Sequence, residues 1–341
     1  MAKMEKGVKI TDVARIAGVS SATVSRVIHQ NGRVSDDTRI KVEEVVGKLS
    51  YTSRRRIKRE PQERIFLLLS GDVVNPFFAE VIHGIQKELD LQKSVLSIMQ
   101  ITIDTIPLIH AVQQMNPLGI VLTGAAPFPE LLKWREKSKT PLVVVNYRNI
   151  QPRVSCILVD FKDAYYRATR HLINLGHRRI GYVGVLGSSE ITKARLQGYE
   201  AALAEANIPI RPEYMITMPP EPYIHGGFQA TGNLLALPHG EQPTAIITYN
   251  DFFAIGVMHA VRMHGLRVPE DVSVIGCDDI PMAAYANPPL TTIELPKNRI
   301  GRLAVSMLEQ MANEPPEQVG NFSLMESPVV IRESTAPNTH G

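Results

Sequence analysis

The residues with the most legible chemistry lie between Asp12 and Ile28. Gly18 interrupts one amphipathic run. Ser20-Ser21-Ala22-Thr23 then opens a second, which carries Arg26 one helical turn beyond Ala22. Small polar residues at the leading end of a helix let it sink into the major groove of B-DNA, roughly 12 Å wide. There Ser21 and Ala22 meet base edges, while Thr23 and Ser25 suit phosphate oxygens. Arg26 can donate two bonds to a guanine or grip a phosphate. A second concentration of chemistry follows at Arg54-Arg55-Arg56-Ile57-Lys58-Arg59, with five cations in six positions and almost nothing to bury.

Other reaction chemistries lack their residues. The sequence has no Walker or Rossmann glycine loop, no G-x-S-x-G and no zinc-ligand spacing. Gly184-Val185-Leu186-Gly187-Ser188-Ser189 is the nearest phosphate-like loop, and two glycines alone are weak evidence. His171 and His177 stand six apart across Gly176, without Cys or acidic companions, and read as structural. Cys156 and Cys277 are far apart and read as reduced, buried thiols. No metal or cofactor is expected.

The elements that position the first cluster are helices. Ile10, Val13, Ala14 and Ala17 share a helical face, and Gly18 ends it. Ser20 or Ser21 can cap the next helix by accepting a bond from an orphan backbone N–H; its apolar positions are Val24, Val27 and Ile28. Asn31-Gly32 marks a turn. Ser35 caps a third helix, with Asp36 and Asp37 at its positive end and Ile40, Val42, Val45, Val46 and Leu49 on its buried side. The basic run is the linker, and Pro61 discourages a helix from passing Glu60.

From Ile65 the texture changes. Short apolar runs (Ile65–Leu69, Val95–Met99, Ile120–Leu122, Leu142–Val145, Ile157–Val159, Ile180–Val183, Ala245–Thr248 and Val272–Ile275) alternate with amphipathic segments at 77–92, 163–175, 191–206, 251–264 and 298–312. Buried strands alternating with helices imply parallel sheets with helices on both faces. There are too many strands for one sheet, so two similar halves with a cleft are expected, and ligands in such folds bind at the C-terminal ends of strands.

Charge divides along the same line. Residues 1–60 carry 14 Lys/Arg against 7 Asp/Glu, and the other 281 carry 23 against 27. A basic head on a mildly acidic body points to a polyanionic partner for the head alone. No apolar stretch approaches the ~20 residues that span a bilayer, and the N-terminus lacks the pattern of a secretory signal, so a cytoplasmic protein with no membrane partner is expected.

The segment TDVARIAGVSSATVSRVIHQNGRVSDDTRIKVEEVVGKLSY resembles the DNA-binding headpiece of the lactose/galactose-repressor family. The resemblance continues through NPFFAEVIHGI, HLINLGHRRIGYVG, ARLQGYEAAL, AIITYNDFFAIGVMHAVRMHGLRVPEDVSVIGCDDIP and PPLTTIELP. It implies a helix-turn-helix headpiece over residues 1–50, a hinge over 51–62 and a periplasmic-binding-protein-like α/β core over 63–335, followed by a short tail. The core divides into two doubly wound parallel-sheet subdomains. One takes about 63–160 and 292–320, the other about 161–291 and 321–335. The implied function is that of a homodimeric repressor that binds an inverted-repeat operator in double-stranded DNA and is controlled by an effector. No apolar heptads follow Ala336, so a dimer without a coiled-coil tail is expected.

Carried onto matching positions, the resemblance places Ser21, Ala22 and Arg26 on bases and Thr11, Ser20, Thr23, Ser25, Asn31 and Val34 near the backbone. His29 and Arg33 follow the recognition helix, within reach of phosphate or base edges. The hinge departs from the family pattern Tyr-x-Pro-Asn-x-x-Ala-x-x-Leu. Tyr51 is present, but Ser53 and Arg54 replace Pro-Asn, Ile57 replaces the alanine, and Glu60 replaces the leucine that wedges into the minor groove. Either the hinge binds by charge through Arg54, Arg55, Arg56, Lys58 and Arg59, or Ile57 wedges in a shifted register. The first reading is preferred.

The matching effector positions are Asn75, Phe77, Phe78, Thr123, Asn146, Arg195, Asn250, Asp251 and Asp278. Arg195 presents a planar fork of donors, Asp278 and Asn250 offer acceptors to hydroxyls, and Phe77 or Phe78 suits either a ring face or the core. At Asn146 many relatives carry aspartate. The set suits a polyhydroxylated ring, a sugar or the ribose of a nucleoside. An activator, a sugar-binding transport protein and an enzyme remain the alternatives. The basic head and the absence of catalytic motifs oppose the last two.

Overall fold

The computed structural model describes residues 10–28, 34–48, 64–70, 75–90, 94–101, 104–147, 154–187, 189–219, 223–313 and 321–339. The chain divides into two units, Met1–Gln62 and Glu63–Gly341.

In the first unit, helix α1 (Ile10–Ala17) ends where Gly18 takes a left-handed φ of 69°, and the Val19 N–H turns back to the Ala14 carbonyl. Only glycine adopts that conformation without steric cost. Ser20, rather than Ser21, caps α2 (Ser21–Ile28): its hydroxyl accepts the Thr23 N–H at 3.1 Å. Helix α3 (Asp36–Lys48) follows Ser35, whose carbonyl accepts the Arg39 N–H. Val13, Ala14, Val24, Val27 and Val42 form the core, with Ala17, Val19, Val34, Val45 and Val46 packed against it. Ile40 departs from expectation and is exposed. Two residues before Val42, it lies about 200° around the helix, on the opposite face.

The second unit begins with β1 (Arg64–Ser70), α4 (Pro76–Asp90), β2 (Ser94–Gln100), α5 (Thr105–Met115), β3 (Gly119–Thr123), α6 (Pro129–Ser138), β4 (Leu142–Val145) and β5 (Val154–Val159). It continues with α7 (Phe161–Asn174), β6 (Ile180–Val185), α8 (Glu190–Glu205), β7 (Met215–Met218), α9 (Tyr223–Leu235), β8 (Ala245–Thr248), α10 (Asp251–Met263), β9 (Ser273–Asp278) and α11 (Pro281–Tyr285). It closes with β10 (Thr291–Glu294), α12 (Lys297–Asn313), β11 (Phe322–Met325) and β12 (Val329–Val330).

Two six-stranded sheets result, ordered β11-β5-β4-β3-β1-β2 and β12-β10-β9-β8-β6-β7, all parallel except the β10–β12 pair. Apolar residues on successive positions serve opposite faces, as the period of two requires. In β3 and β4, Ile120, Leu122, Leu142 and Val144 join the cluster under α5 and α6. Val121, Val143 and Val145 join the large cluster that runs through both lobes. Helices therefore cover both faces of each sheet.

The chain passes between lobes three times: at Asp160, at Leu295–Pro296 and at 326–328. The last two crossings correct the expected subdomain limits. β10 pairs with β9 in the second sheet, so residues 292–294 do not belong to the first lobe. β11 pairs with β5 in the first, so residues 322–325 do not belong to the second. Pro296 and Pro328, which lack a ladder N–H, lie in these crossovers, the first shortly after β10 and the second directly before β12.

The histidines act as structural ties. His177 is buried, with Nδ1 2.9 Å from the Thr244 hydroxyl and Nε2 3.1 Å from the Ser273 hydroxyl and 3.0 Å from the Ala336 carbonyl. It anchors the C-terminal segment to the second sheet, beside His171, which pairs with the Thr335 hydroxyl. Cys156 and Cys277 are both buried and neither is in a disulfide, and burial pushes the Cys277 thiol up, away from the reactive thiolate.

Candidate functional site

Two surfaces carry chemistry, one in each unit. In the headpiece, Thr11, Ser20, Ser21, Ala22 and Arg26 are exposed, and Thr23, Ser25 and Val34 are half-buried. The Ser20 and Thr23 hydroxyls pair at 2.9 Å, which fixes the start of α2. Val24 and Val27 hold the opposite face in the core, so the Ser21–Ala22–Arg26 side faces outward. The expected contacts at His29, Asn31, Arg33, Tyr51, Arg54, Arg55, Arg56, Ile57 and Lys58 lie outside the described residues, as does the turn at Asn31-Gly32.

The second surface is a cavity of about 190 Å³ at the C-terminal ends of both sheets. From the first lobe come Asn75, Phe77 and Phe78 after β1, Thr123 at the end of β3 with Gly124 beyond it, and Asn146 and Tyr147 after β4. From the second come Ser189 after β6, Arg195 on α8, Tyr249 and Asn250 after β8, and Asp278 at the end of β9. Phe161 and Leu295 line it where the chain crosses between lobes. The geometry therefore brings together eight of the nine expected positions.

Asp251 is the exception and corrects the expectation. It is wholly buried and does not line the cavity. Its Oδ2 accepts the Ile280 N–H at 2.8 Å and its Oδ1 accepts the Thr292 hydroxyl, so it tethers the loop after β9 to β10. Burial pushes its carboxyl well above the usual range, with Asp278 adding to the rise. Being first in its helix, it points back into the core, while its neighbour Asn250 is the capping residue.

Arg195 is the centre of the cavity's electrostatics. It is 4% exposed, and one terminal nitrogen donates to the Tyr249 carbonyl at 3.0 Å. Its guanidinium carbon lies 3.8 Å from the Tyr249 ring centroid and 4.4 Å from that of Phe161. These rings hold a desolvated cation in place. Among the described residues, its buried Nε has no hydrogen-bond partner. Asp278 sits at a φ of 118°, strained for a residue with a Cβ. Burial pushes its carboxyl up, opposed by Arg195 and Lys297, to about 6.

Lys297 explains how that strained turn is held. It is the first residue of α12 and is 4% exposed. Its ammonium donates to the carbonyls of Asp278 and, at 2.7 Å, Asp279, and lies 3.6 Å from Glu80 of α4. The clasp joins the second lobe's β9 end to two helices of the first.

Sequence reasoning missed Tyr147, Phe161, Tyr249 and Lys297. The signal available was position, since Tyr147 and Tyr249 each follow a run now seen as a strand end. Phe77 and Phe78 serve both roles that the sequence allowed. They are largely buried, packed edge to face at 5.0 Å, and line the cavity. Among the described residues there is no group of three metal-ligating side chains, and no helix is long and apolar enough to cross a membrane.

The arrangement has clear counterparts. Residues 9–53 match the model of bacterial regulatory proteins of the lacI family, and residues 169–335 match that of a periplasmic binding protein-like domain. The HTH-type transcriptional repressor PurR of Aliivibrio fischeri (strain MJ11) is 32% identical over 338 residues, covering 95% of this chain and 97% of its own. The ribose operon repressor of Haemophilus influenzae is 34% identical over 331 residues, with 95% and 97% covered. Among solved structures, the Lac repressor dimer bound to operator and the anti-inducer ONPF is 26% identical with a TM-score of 0.70, covering 97% of this chain and 100% of that one. The transcriptional regulator CelR–cellobiose complex is 26% identical with a TM-score of 0.71, covering 96% and 99%. The chain belongs to the lacI family of bacterial regulatory proteins and is a DNA-binding, effector-controlled transcriptional repressor, not an enzyme.

Proposed function

We propose that two copies of the chain bind an inverted-repeat operator and that a small polyhydroxylated ligand in the cavity changes their affinity for it. The headpiece, about 1–50, reads DNA through Ser21, Ala22 and Arg26, and the basic hinge, about 51–62, adds phosphate contacts. The carrying observation is the cavity itself: Arg195 and Asp278 from one lobe face Asn75, Thr123 and Asn146 from the other, between aromatic walls. Ligand held by both lobes favours the closed arrangement by as much as it binds that arrangement better.

The relatives support each part. The Lac repressor is a dimer on its operator, CelR is seen with cellobiose, and a LacI-family regulator from Enterococcus faecium is seen with bound ribose. Exposed Val95 and Ile98 on edge strand β2, with Met282 and Tyr285 on α11, provide apolar surface in both lobes for a second copy. DNA as partner places the protein in the cytoplasm.

The test is a gel shift of the full-length chain on operator DNA selected from random sequence, with and without a ligand found by thermal shift. The selected site should be an inverted repeat, and saturating ligand should change operator affinity by ~5–150-fold, with operator changing ligand affinity by the same factor. An unchanged operator affinity at saturation overturns the reading.

A further inference from the structure

Asp278 and Asp279 are two non-glycine residues in a row at positive φ, 118° and 50°. Such conformations are sparsely populated and persist only where neighbouring groups over-determine them. Of the two, Asp278 lines the cavity, so whatever holds this turn also aims a cavity carboxyl. The Lys297 ammonium holds the two backbone carbonyls.

The Asp279 side chain is held from a third segment. Arg332, 53 residues further along and just beyond β12, donates from Nη2 to Asp279 Oδ1 at 2.7 Å, with the two side chains 20% and 21% exposed. Its Nη1 donates to the Leu290 carbonyl at 2.8 Å. The planar fork therefore spans the backbone before β10 and the carboxylate after β9, two points that a single ammonium does not match. The backbone that carries Arg332 is itself fixed. Its N–H donates to the Thr291 hydroxyl at 2.9 Å. Two residues on, the Ser334 hydroxyl accepts the Thr291 N–H and donates to the Val274 carbonyl, while the Ser334 carbonyl accepts the Val274 N–H. A segment stitched to both β9 and β10 is a rigid base, and Arg332 reaches from it to the turn.

We infer that Arg332 is a positioning residue of the cavity: without lining it, Arg332 grips Asp279 and so holds Asp278 in the orientation that presents its carboxyl to a ligand. The inference rests on the reading of the cavity as the effector site and adds the C-terminal segment to what shapes it.

The competing role is a plain tie that fastens the C-terminal segment and has no bearing on Asp278. The titration of Asp278 separates the two. Its carboxyl faces Arg195, Lys297, Cys277, Asp251 and, from α7, Tyr165, whereas Arg332 pairs with Asp279. Burial raises it, against Arg195 and Lys297, to about 6. A turn released from Arg332 lets the carboxyl rehydrate, and its titration falls toward the ordinary 3.8. Charge removal alone acts differently: losing a cation raises a nearby carboxyl, and losing an anion lowers it.

The test is a carbon-13 NMR titration of the full-length protein labelled at its aspartate carboxyl carbons, with Asp278→Asn identifying the Asp278 signal. Arg332→Gln and Asp279→Asn break the pair from opposite sides. Both should lower the Asp278 midpoint by about one pH unit, and the double variant should lower it no further than the larger single change, because the two act through one contact. Arg332→Lys keeps the charge but reaches only one of the two points. It should move the midpoint the same way by less, and it decides the matter if the glutamine variant does not fold. A midpoint that stays or rises in Arg332→Gln overturns the inference, as do additive shifts in the double variant or an unmoved midpoint in a folded Arg332→Lys protein. A lower melting temperature with the Asp278 midpoint unmoved marks the plain tie and overturns it too. The two claims fail separately. The titration needs no ligand, whereas an operator gel shift that ignores saturating ligand strikes the effector-site reading and leaves the action of Arg332 on Asp278 standing.

Discussion

Replacing Lys297 with methionine is the sharpest test of how the two lobes are joined. Methionine has a similar length and no charge, so the substitution removes the clasp without opening a large hole. The wild-type ammonium makes two bonds to carbonyls at the end of β9 and lies 3.6 Å from Glu80. Charge-assisted hydrogen bonds contribute about 1.5–3 kcal/mol each, so the gross loss is about 3–6 kcal/mol. Two terms reduce it. The cost of burying the ammonium disappears, and Glu80, 30% exposed, rehydrates while keeping its bond from Asn298. The net destabilisation is about 3 kcal/mol, at the lower end of the ~3–5 kcal/mol seen when one member of a buried pair is removed. At about 2–4 °C per kcal/mol for a domain of this size, the melting temperature should fall by about 6–12 °C. Differential scanning calorimetry of the full-length protein reads it, with Arg267→Ala as control. Arg267 is 70% exposed in its pair with Asp271, so that change should cost at most about 1 kcal/mol. A Lys297→Met protein that melts with the control refutes the clasp.

Four further outcomes follow from the same geometry. Asp251→Ala leaves the Ile280 N–H and Thr292 hydroxyl buried without acceptors, and should cost about 2–5 kcal/mol in urea unfolding while leaving ligand affinity of the folded protein within a few-fold. Gly301→Ala would place a Cβ 2.2 Å from the Val81 carbonyl, so α4 and α12 must separate, at about 1–3 kcal/mol or more in thermal unfolding. Arg26→Ala should weaken operator binding in a gel shift by about 1–3 kcal/mol, with relaxed specificity at one base pair if Arg26 reads a base, or with a salt slope reduced by about 0.9 if it holds a phosphate. Asp278 has a folded pKa of about 6, raised above the 3.8 of the free side chain, so its contribution is fully present below about pH 4 and is lost as pH rises through about 6. Urea midpoints of wild type and Asp278→Asn across that window should differ in slope, with the variant flatter. Arg195, Lys297, Asp251 and Cys277 are the charged and titratable groups that set the size of the effect.

The sequence made the buried parts of the fold legible and the marginal parts obscure. Each of the eight apolar runs falls on or overlaps a strand: seven are central parallel strands, which are buried on both faces and leave a continuous apolar signature, and the eighth, β2, is an edge strand that keeps an apolar run although Val95 and Ile98 are exposed. β7, β11 and β12 escaped notice because they lie at sheet edges, where Met215–Met218 and Phe322–Met325 are largely half-buried or exposed. β10 is central, yet its Thr-Thr start interrupts the apolar run. Helix α6 (Pro129–Ser138) buries only Leu131 and Arg135, too narrow a stripe to stand out from a loop. At the cavity, single residues at strand ends could be placed by motif. The packing of Arg195 between Phe161 and Tyr249 could not, since the three arise from separate segments. Adjacent acids show the limit most clearly. Asp251 and Asp278 read alike in sequence, and only the fold turns one into the core and the other to the cavity wall.

The same contacts explain why events in the cavity need not stay there. Helix α4 begins at the cavity wall with Phe77 and Phe78 and runs along α12, whose first residue is the Lys297 clasp. The two helices meet backbone to backbone: a Cβ at Gly84 would lie 2.3 Å from the Asn298 carbonyl, and one at Gly301 lies as close to Val81. Helices that interlock at this distance cannot slide without first separating, and close-packed interiors resist that. A ligand that draws Arg195 and Asp278 toward Asn75 and Asn146 therefore displaces α4 and α12 together. The displacement has a second route through Lys297, because the carbonyls it binds belong to the same turn that presents Asp278. Softening either connection should reduce the factor by which ligand changes operator affinity more than it reduces ligand affinity itself. Gly301→Ala and Lys297→Met, measured by calorimetric titration and gel shift side by side, separate those two quantities, and equal losses in both would show that the helix pair carries stability alone.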